Sequence, residues 1–294
     1  MSLLTNTQGT PERVWSLLRL LSAFDRPLGS AEIRDWLNPS FRTSGRLSYD
    51  KLESAVSQVV GAANGLGLIE AERPGLWRLA VALPDGIDGF AELVHERLAA
   101  IGSDNADAVM LDAYGTVAAL CEKEGGTLWL SDTREQVAHK IDLGLRASGD
   151  EERKFNDTKL TVWTRWMVFL GLAALVPVPG RRAFYPYPAG RLERLMVVQQ
   201  AAELGADGFL GMVAARLPYL DGGGVFLEAC RRIGVSLPQR TLSRVLSGSL
   251  RDLHEDGRIA LSTLGDATGA YFLSRDSHGP QTMKTIRLLE VADE

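Results

Sequence analysis

Apolar side chains recur at helical spacing and are followed by two short apolar strands in three stretches of the chain. In the first stretch, Val14, Leu17, Leu18 and Leu21 define one face of a helix over 10–24. Further helices are predicted over 30–37 and 48–64, and Gly65 stands where a helix C-cap belongs. Strands follow at 66–70 and 76–79, around a turn at 73–75. Three helices followed by a β-ribbon are the winged-helix layout.

The second and third copies follow the same order less regularly. The second has predicted helices near 106–122, 132–143 and 157–170, a strand at 127–130 and a hairpin over 174–187. The third has predicted helices near 190–204, 209–217, 225–233 and 242–255, and a ribbon that pairs 258–261 with 270–273. A last strand is predicted at 285–289, in the tail.

The predicted fold class is therefore mainly α with short β-hairpins (α+β), arranged as two or three tandem winged-helix domains. The pattern predicts five segments: a winged-helix domain at 10–83, an acidic linker at 84–105, a second winged-helix domain at 106–188, a third at 189–275 and a C-terminal tail at 276–294.

Charge is distributed in blocks within a chain whose net charge is −5. Residues 84–150 carry 5 basic and 13 acidic groups, whereas residues 153–244 carry 13 basic and 6 acidic groups. A general nucleic-acid binder is usually basic throughout. Phosphate contacts are therefore expected from the second half, or from a local patch in the first.

Several function classes lack their sequence signals. Two distant cysteines, Cys121 and Cys230, make neither a disulfide framework nor a four-ligand zinc site. The four histidines show no zinc-helix spacing, and no phosphate-loop or nucleophile-elbow motif occurs. No metal, cofactor or catalytic residue is therefore predicted. The polar start of the chain and an apolar run of only 166–178 predict a cytoplasmic protein without a membrane span.

One catalytic alternative needs few residues. A metal-dependent nuclease uses carboxylates to bind the metal and a lysine to stabilise the attacking water. Glu152 and Lys154 have the Glu-x-Lys form, and Asp132 is the nearest partner acid. The surrounding stretch is hydrophilic, which favours a solvated charge run instead.

The binding alternative rests on polar side chains of the third helix in the first and third copies. Arginine and glutamine can bond bidentately to guanine and adenine edges, while serine and lysine hold phosphates. The predicted DNA contacts in the first copy are Arg42, Arg46, Lys51, Ser54 and Gln58. Those in the third copy are Gln239, Arg240, Ser243, Arg244, Ser247 and Arg251, all expected to be exposed. Arg181 and Arg182 complete the set at the tip of the second ribbon.

The hydrophobic patterns of 66–79, 166–187 and 242–273 resemble those of bacterial tandem winged-helix proteins. Two groups are similar: accessory proteins of phage-defence and DNA-modification loci, such as the 7-deazaguanine-in-DNA cluster, and the kleisin-binding subunits of condensin-type complexes. The first resemblance implies a non-enzymatic adaptor that contacts double-stranded DNA and positions a larger protein partner. The second implies a protein–protein scaffold without DNA contact. A homodimer is compatible with both.

Overall fold

The computed structural model describes residues 2–37, 49–102, 104–126, 128–146, 155–199, 203–263, 269–274 and 279–289. The chain divides into two compact units, one made of Met1–Ala108 and Thr161–Leu170, the other of Val109–Leu160 and Gly171–Glu294. Helices dominate, and the strands pair in short antiparallel ladders. The predicted class, mainly α with short β-hairpins, is confirmed.

The first unit opens with helices that pack beside a small sheet. Its elements are α1 (Pro11–Ser22), β1 (Leu28–Gly29), α2 (Ser30–Leu37), α3 (Tyr49–Gly65), β2 (Ile69–Arg73), β3 (Leu76–Leu79) and α4 (Gly86–Ala99). Strand β1, which the sequence pattern missed, pairs with β3 and places Leu28 opposite Trp77. The sheet order is β1-β3-β2.

Helix α4 occupies most of the segment predicted as an acidic linker. It buries Phe90, Val94 and Leu98, while its charged side chains lie on other faces. The ring of Phe90 stacks on Trp15 of α1 at 5.2 Å between centroids. Burial of such an aromatic face stabilises a helix far more than its own propensity does. Helix α4 thus contributes its buried face to the core of the first unit.

The second unit begins with a helical region and a hairpin. Its elements up to the hairpin are α5 (Val109–Glu124), α6 (Leu128–Ser131), α7 (Arg134–Leu145), α8 (Asp157–Phe169, of which 161–169 belong to the first unit), β4 (Ala173–Val178) and β5 (Arg181–Pro186). The strand predicted at 127–130 is wrong, because Leu128–Ser131 forms the helical turn α6. Trp129 is buried there, and its indole Nε1 donates to the Sγ of Cys121 at 3.0 Å.

The rest of the second unit contains the elements α9 (Ala189–Gln199), β6 (Leu204–Gly205), α10 (Ala206–Arg216), α11 (Gly224–Ile233), α12 (Arg244–Glu255), β7 (Ile259–Ser262), β8 (Tyr271–Phe272), β9 (Thr282–Met283) and β10 (Thr285–Leu288). The predicted pairing of 258–261 with 270–273 is wrong. Strand β7 pairs with β10, and β8 pairs with β9. Ile286 of β10 is fully buried, whereas Phe272 of β8 is 51% exposed. Burial of Ile286 therefore favours β10 as the central strand of the sheet β6-β10-β7.

The two units contain the same arrangement of elements. In each, a two-residue Leu-Gly strand leads directly into a helix. It pairs with the strand that comes last in the sequence and lies at the centre of a three-stranded sheet. Leu28 lies opposite Trp77 in the first unit, and Leu204 lies opposite Ile286 in the second. Helix α3 precedes strand β2 in the first unit, and helix α12 precedes strand β7 in the second. Within this arrangement, the second unit has the added helix α11 and the β8–β9 hairpin.

Candidate nucleic-acid interface

Helix α3 carries the predicted contacts of the first unit. Ser54 and Ser57 are exposed. Gln58 is half-buried, and its Oε1 accepts hydrogen bonds from Thr7 Oγ1 at 3.1 Å and from the backbone N of Gln8 at 2.9 Å. The side chain of Gln58 therefore holds the N-terminal segment against α3. Arg42, Arg46 and the side chain of Lys51 lie outside the described residues.

The hairpin β4–β5 places its two arginines differently. Arg181 donates from Nη2 to the carbonyl oxygens of Leu130 and Asp132, at 2.9 and 2.6 Å. These bonds fix the start of β5 to the turn after α6. Arg182 is exposed. Of the pair, Arg182 has the side chain that is accessible to a ligand.

Three of the residues predicted to be exposed along α12 are buried, so that prediction is wrong. They are Ser243, Ser247 and Arg251, with exposed fractions of 0%, 0% and 4%. Ser243 is the N-cap of the helix, and its Oγ accepts from the backbone N of Leu246 at 3.2 Å. The other two bond Ser274 and Pro280, which lie between β8 and β9 in the hairpin that covers this face of α12.

Three predicted contacts remain accessible around the N-terminus of α12. Gln239 and Arg244 are exposed, and Arg240 is partly exposed. The guanidinium of Arg240 lies over the ring of Tyr271, 4.9 Å from its centroid, and 3.8 Å from Asp207 Oδ1. A guanidinium over an aromatic face keeps its charge. Nη1 of Arg240 also donates to the carbonyl oxygen of Gly269.

Two carboxylates hold the backbone at this helix end. Asp221 accepts from the N and Oγ of Ser243, and Glu122 accepts from the backbone N of Arg244. Burial raises the pKa of both carboxyl groups, although the bonds from Ser243 and Arg244 oppose that rise. Because acids already occupy these N–H groups, a phosphate would have to be bound by side chains such as Arg244 and not by the helix terminus.

The exposed face of α12 changes sign along its length. Arg244 lies at the start, while Asp252, Glu255 and Asp256 are exposed toward the end. Burial and then neighbouring acids raise the pKa of Asp252, which is hydrogen-bonded to Tyr187. Phosphate attraction is therefore confined to the N-terminal turn of the helix.

The nuclease alternative has one described member. Asp132 forms an ion pair with Lys140 at 2.8 Å, and Lys140 also bonds Glu124 at 2.6 Å. Glu152 and Lys154 lie outside the described residues. Within the described ranges, no group of three or more histidine, cysteine or acidic side chains is placed to hold a metal ion. No helix in the same ranges has the length and apolarity needed to cross a bilayer.

A family model for DpdG-like proteins matches residues 1–267. The chain belongs to the DpdG-like family. The DpdG-like assignment agrees with the 7-deazaguanine-in-DNA phage-defence locus, the first of the two groups that the hydrophobic pattern resembles. Neither a curated protein nor a solved structure matches the chain.

Sequence reasoning missed the two acids that position the start of α12 in this DpdG-like chain. Asp221 lies in the turn after α10, and Glu122 lies near the end of α5. Both are far from Arg244 along the chain, and no motif joins them. The one local signal was the glycine run 222–224, which marks a tight turn where a backbone-bonding acid is common.

Proposed function

We propose that this chain is a non-enzymatic DNA-binding accessory protein that positions a partner complex in phage defence or DNA modification. The observation that carries the proposal is the arrangement shared by the two units, in which a helix, a Leu-Gly strand and further helices precede the remaining strands of a three-stranded sheet. This is the order expected of a winged helix, and the proposal interprets both units in that way. Membership of the DpdG-like family supports the defence context.

Duplex DNA is expected to contact the accessible cations and amides. In the second unit these are Gln239, Arg240, Arg244 and Arg182. In the first unit the exposed Ser54 would bond a phosphate, together with Lys51, Arg42 and Arg46. These few contacts fit a modest, salt-sensitive affinity for a chain of net negative charge.

The test is a fluorescence anisotropy titration of a labelled duplex at increasing NaCl. The logarithm of the binding constant should fall linearly with the logarithm of salt concentration. Arg244→Ala should weaken binding and reduce that slope by about 1. Its backbone N keeps the bond to Glu122, so the helix start is preserved. Arg231→Ala is the matched control, since its side chain is 73% exposed on α11.

A scaffold without DNA contact is the second candidate. It is favoured by the burial of Ser243, Ser247 and Arg251, because these side chains are then not accessible to DNA. Half of the DNA contacts predicted at α12 are lost in this way. Co-purification with a larger protein, together with an unshifted duplex at low salt, would select the scaffold. Salt-independent duplex binding would contradict the DNA-binding proposal.

A further inference from the structure

A groove of about 690 Å³ lies within the first unit, between α2, α3 and strand β3. Its lining includes Ala31, Ser57, Val60, Gly61, Asn64 and Trp77. The walls are largely apolar, and the polar groups among the lining residues are the side chains of Ser30, Arg34, Ser57 and Asn64. The volume falls in the range of sites that take a ligand or a large side chain, about 300–1,000 Å³.

The second unit has the equivalent walls, and there they are covered. Helix α3 ends at Gly65 and the next strand begins at Ile69, just as α12 ends at Glu255 and the next strand begins at Ile259. Because the two intervals are the same length, Gly65 is equivalent to Glu255. Counting back along both helices pairs Ser57 with Ser247 and Gly61 with Arg251. Ala31 and Asp207 are each the second residue of the helix that follows the Leu-Gly strand.

An extended piece of chain, the β8–β9 hairpin with its flanks, covers the walls of the second unit. The backbone N of Ser274 donates to Ser247 Oγ at 2.9 Å. Arg251 donates to the carbonyl oxygens of Ser274 and Pro280, at 2.6 and 3.0 Å. Tyr271 donates from its hydroxyl to Asp207 at 2.7 Å. The cover is thus polypeptide, held by main-chain hydrogen bonds and one aromatic side chain.

The first unit has no such insertion, because β2 and β3 are joined by the short turn at Pro74-Gly75. Smaller residues also line its walls, since Ala31 and Gly65 replace Asp207 and Glu255. At Gly61, which replaces Arg251, an added Cβ would lie 3.4 Å from the side chain of Asn6. The Ser57 hydroxyl remains exposed where Ser247 accepts a backbone N–H. This face therefore keeps the acceptor for an extended chain and has additional room for side chains.

We propose that this groove binds an extended segment of a partner protein, with a large apolar or aromatic side chain near Ala31 and a backbone N–H bonded to Ser57. The segment takes the place that the β8–β9 hairpin takes on α12. In this mode of peptide recognition, main-chain hydrogen bonds provide affinity and a pocket for one side chain provides specificity. It deepens the adaptor role proposed above by locating the partner contact, and it requires no DNA binding.

The experiment pans a phage-displayed library of linear peptides against the full chain and measures the selected peptides by fluorescence anisotropy. Peptides that share an apolar or aromatic anchor are expected. Ala31→Phe should weaken their binding at least tenfold by filling the groove. Ala99→Phe is the matched control, because Ala99 is an exposed helical alanine of the same unit that does not line the groove.

Two further measurements separate the outcomes. Circular dichroism confirms that both variants stay folded, and duplex binding is measured on the same preparations, so that a failed DNA proposal and a failed groove proposal are distinguishable. Selected peptides that bind Ala31→Phe as tightly as the native chain would overturn the inference, as would a selection that yields no groove-dependent peptide. A concentration-dependent dimer that Ala31→Phe abolishes would assign the groove to a second copy and also overturn it.

Discussion

The carboxylate of Asp221 accepts two hydrogen bonds from Ser243, one from the backbone N at 2.7 Å and one from the hydroxyl at 2.6 Å. Ser243 in turn caps α12 through Leu246. The start of α12 is therefore fixed by a side chain from the turn after α10, and the position of Arg244 depends on that contact.

Replacing Asp221 by Ala should destabilise the second unit. The change leaves two buried donors of Ser243 without their acceptor, which costs about 2–4 kcal/mol in unfolding free energy. Urea denaturation followed by circular dichroism measures the loss. Glu203→Ala, an exposed acid in the same unit, is the control and should change stability by less than about 0.5 kcal/mol. An Asp221→Ala variant as stable as the control would contradict this role.

Helix α5 packs closely against its neighbours at glycines, and Gly144 of α7 is the tightest point. A Cβ added to Gly144 would lie 2.5 Å from Thr116 Cγ2 and 3.2 Å from Ile233 Cδ1. Gly144→Ala should therefore cost about 1–3 kcal/mol by overpacking. Gly211→Ala is the control, since an added Cβ meets open space there and should be neutral or stabilising.

Thermal or urea denaturation measures the stability that Gly144→Ala loses, and a second substitution should restore part of it. Thr116→Ser removes the Cγ2 methyl that the new side chain would strike. The double variant Gly144→Ala, Thr116→Ser should recover part of the loss seen in Gly144→Ala. If it recovers none, the clash with Thr116 is not the cause.

Burial raises the pKa of the Cys121 thiol to about 12, and that of Cys230 to about 11. In the unfolded chain both thiols ionise near their ordinary pKa, so unfolding releases protons at alkaline pH. Their contribution to stability is complete below about pH 8.5 and decreases as the pH rises toward the folded-state values. Stability curves at a series of alkaline pH values should show this decrease, and Cys121→Ala should make it shallower.

The same burial predicts slow thiol chemistry. Neither cysteine should react with a thiol reagent at pH 8 in the native chain, whereas both should react in urea. Rapid native-state labelling of Cys121 would show that the residue is accessible and would contradict its buried bond to Trp129.

Arg251 anchors the β8–β9 hairpin through the carbonyls of Ser274 and Pro280. Arg251→Ala should loosen this segment and speed amide hydrogen exchange at Leu273 and Ser274, because the cover loses two charge-assisted hydrogen bonds. Mass spectrometry of peptic peptides measures the rate. Arg244→Ala should leave the exchange unchanged, and unaltered exchange in Arg251→Ala would contradict the anchoring role.

The sequence predicted the helices well wherever one apolar face recurs at helical spacing, as in α1, α3 and α12. Short elements failed, because four residues around Trp129 satisfy a strand or a helical turn equally well. The face of α12 was also misjudged. Ser247 and Arg251 look like exposed polar positions, and only the β8–β9 hairpin, folded back from beyond β7, makes them internal.

Local information therefore determined the mainly α class and the first two hairpins, since apolar period and turn chemistry act between near neighbours. Only the tertiary structure decided which strand lies at the centre of the second sheet, which acids hold the start of α12, and which predicted contacts remain accessible. Those outcomes depend on burial and hydrogen bonding between residues far apart in the chain. The pairing of Ile286 with β7, and the hydrogen bond from Ser243 to Asp221, cannot be predicted from the residues next to them in the sequence.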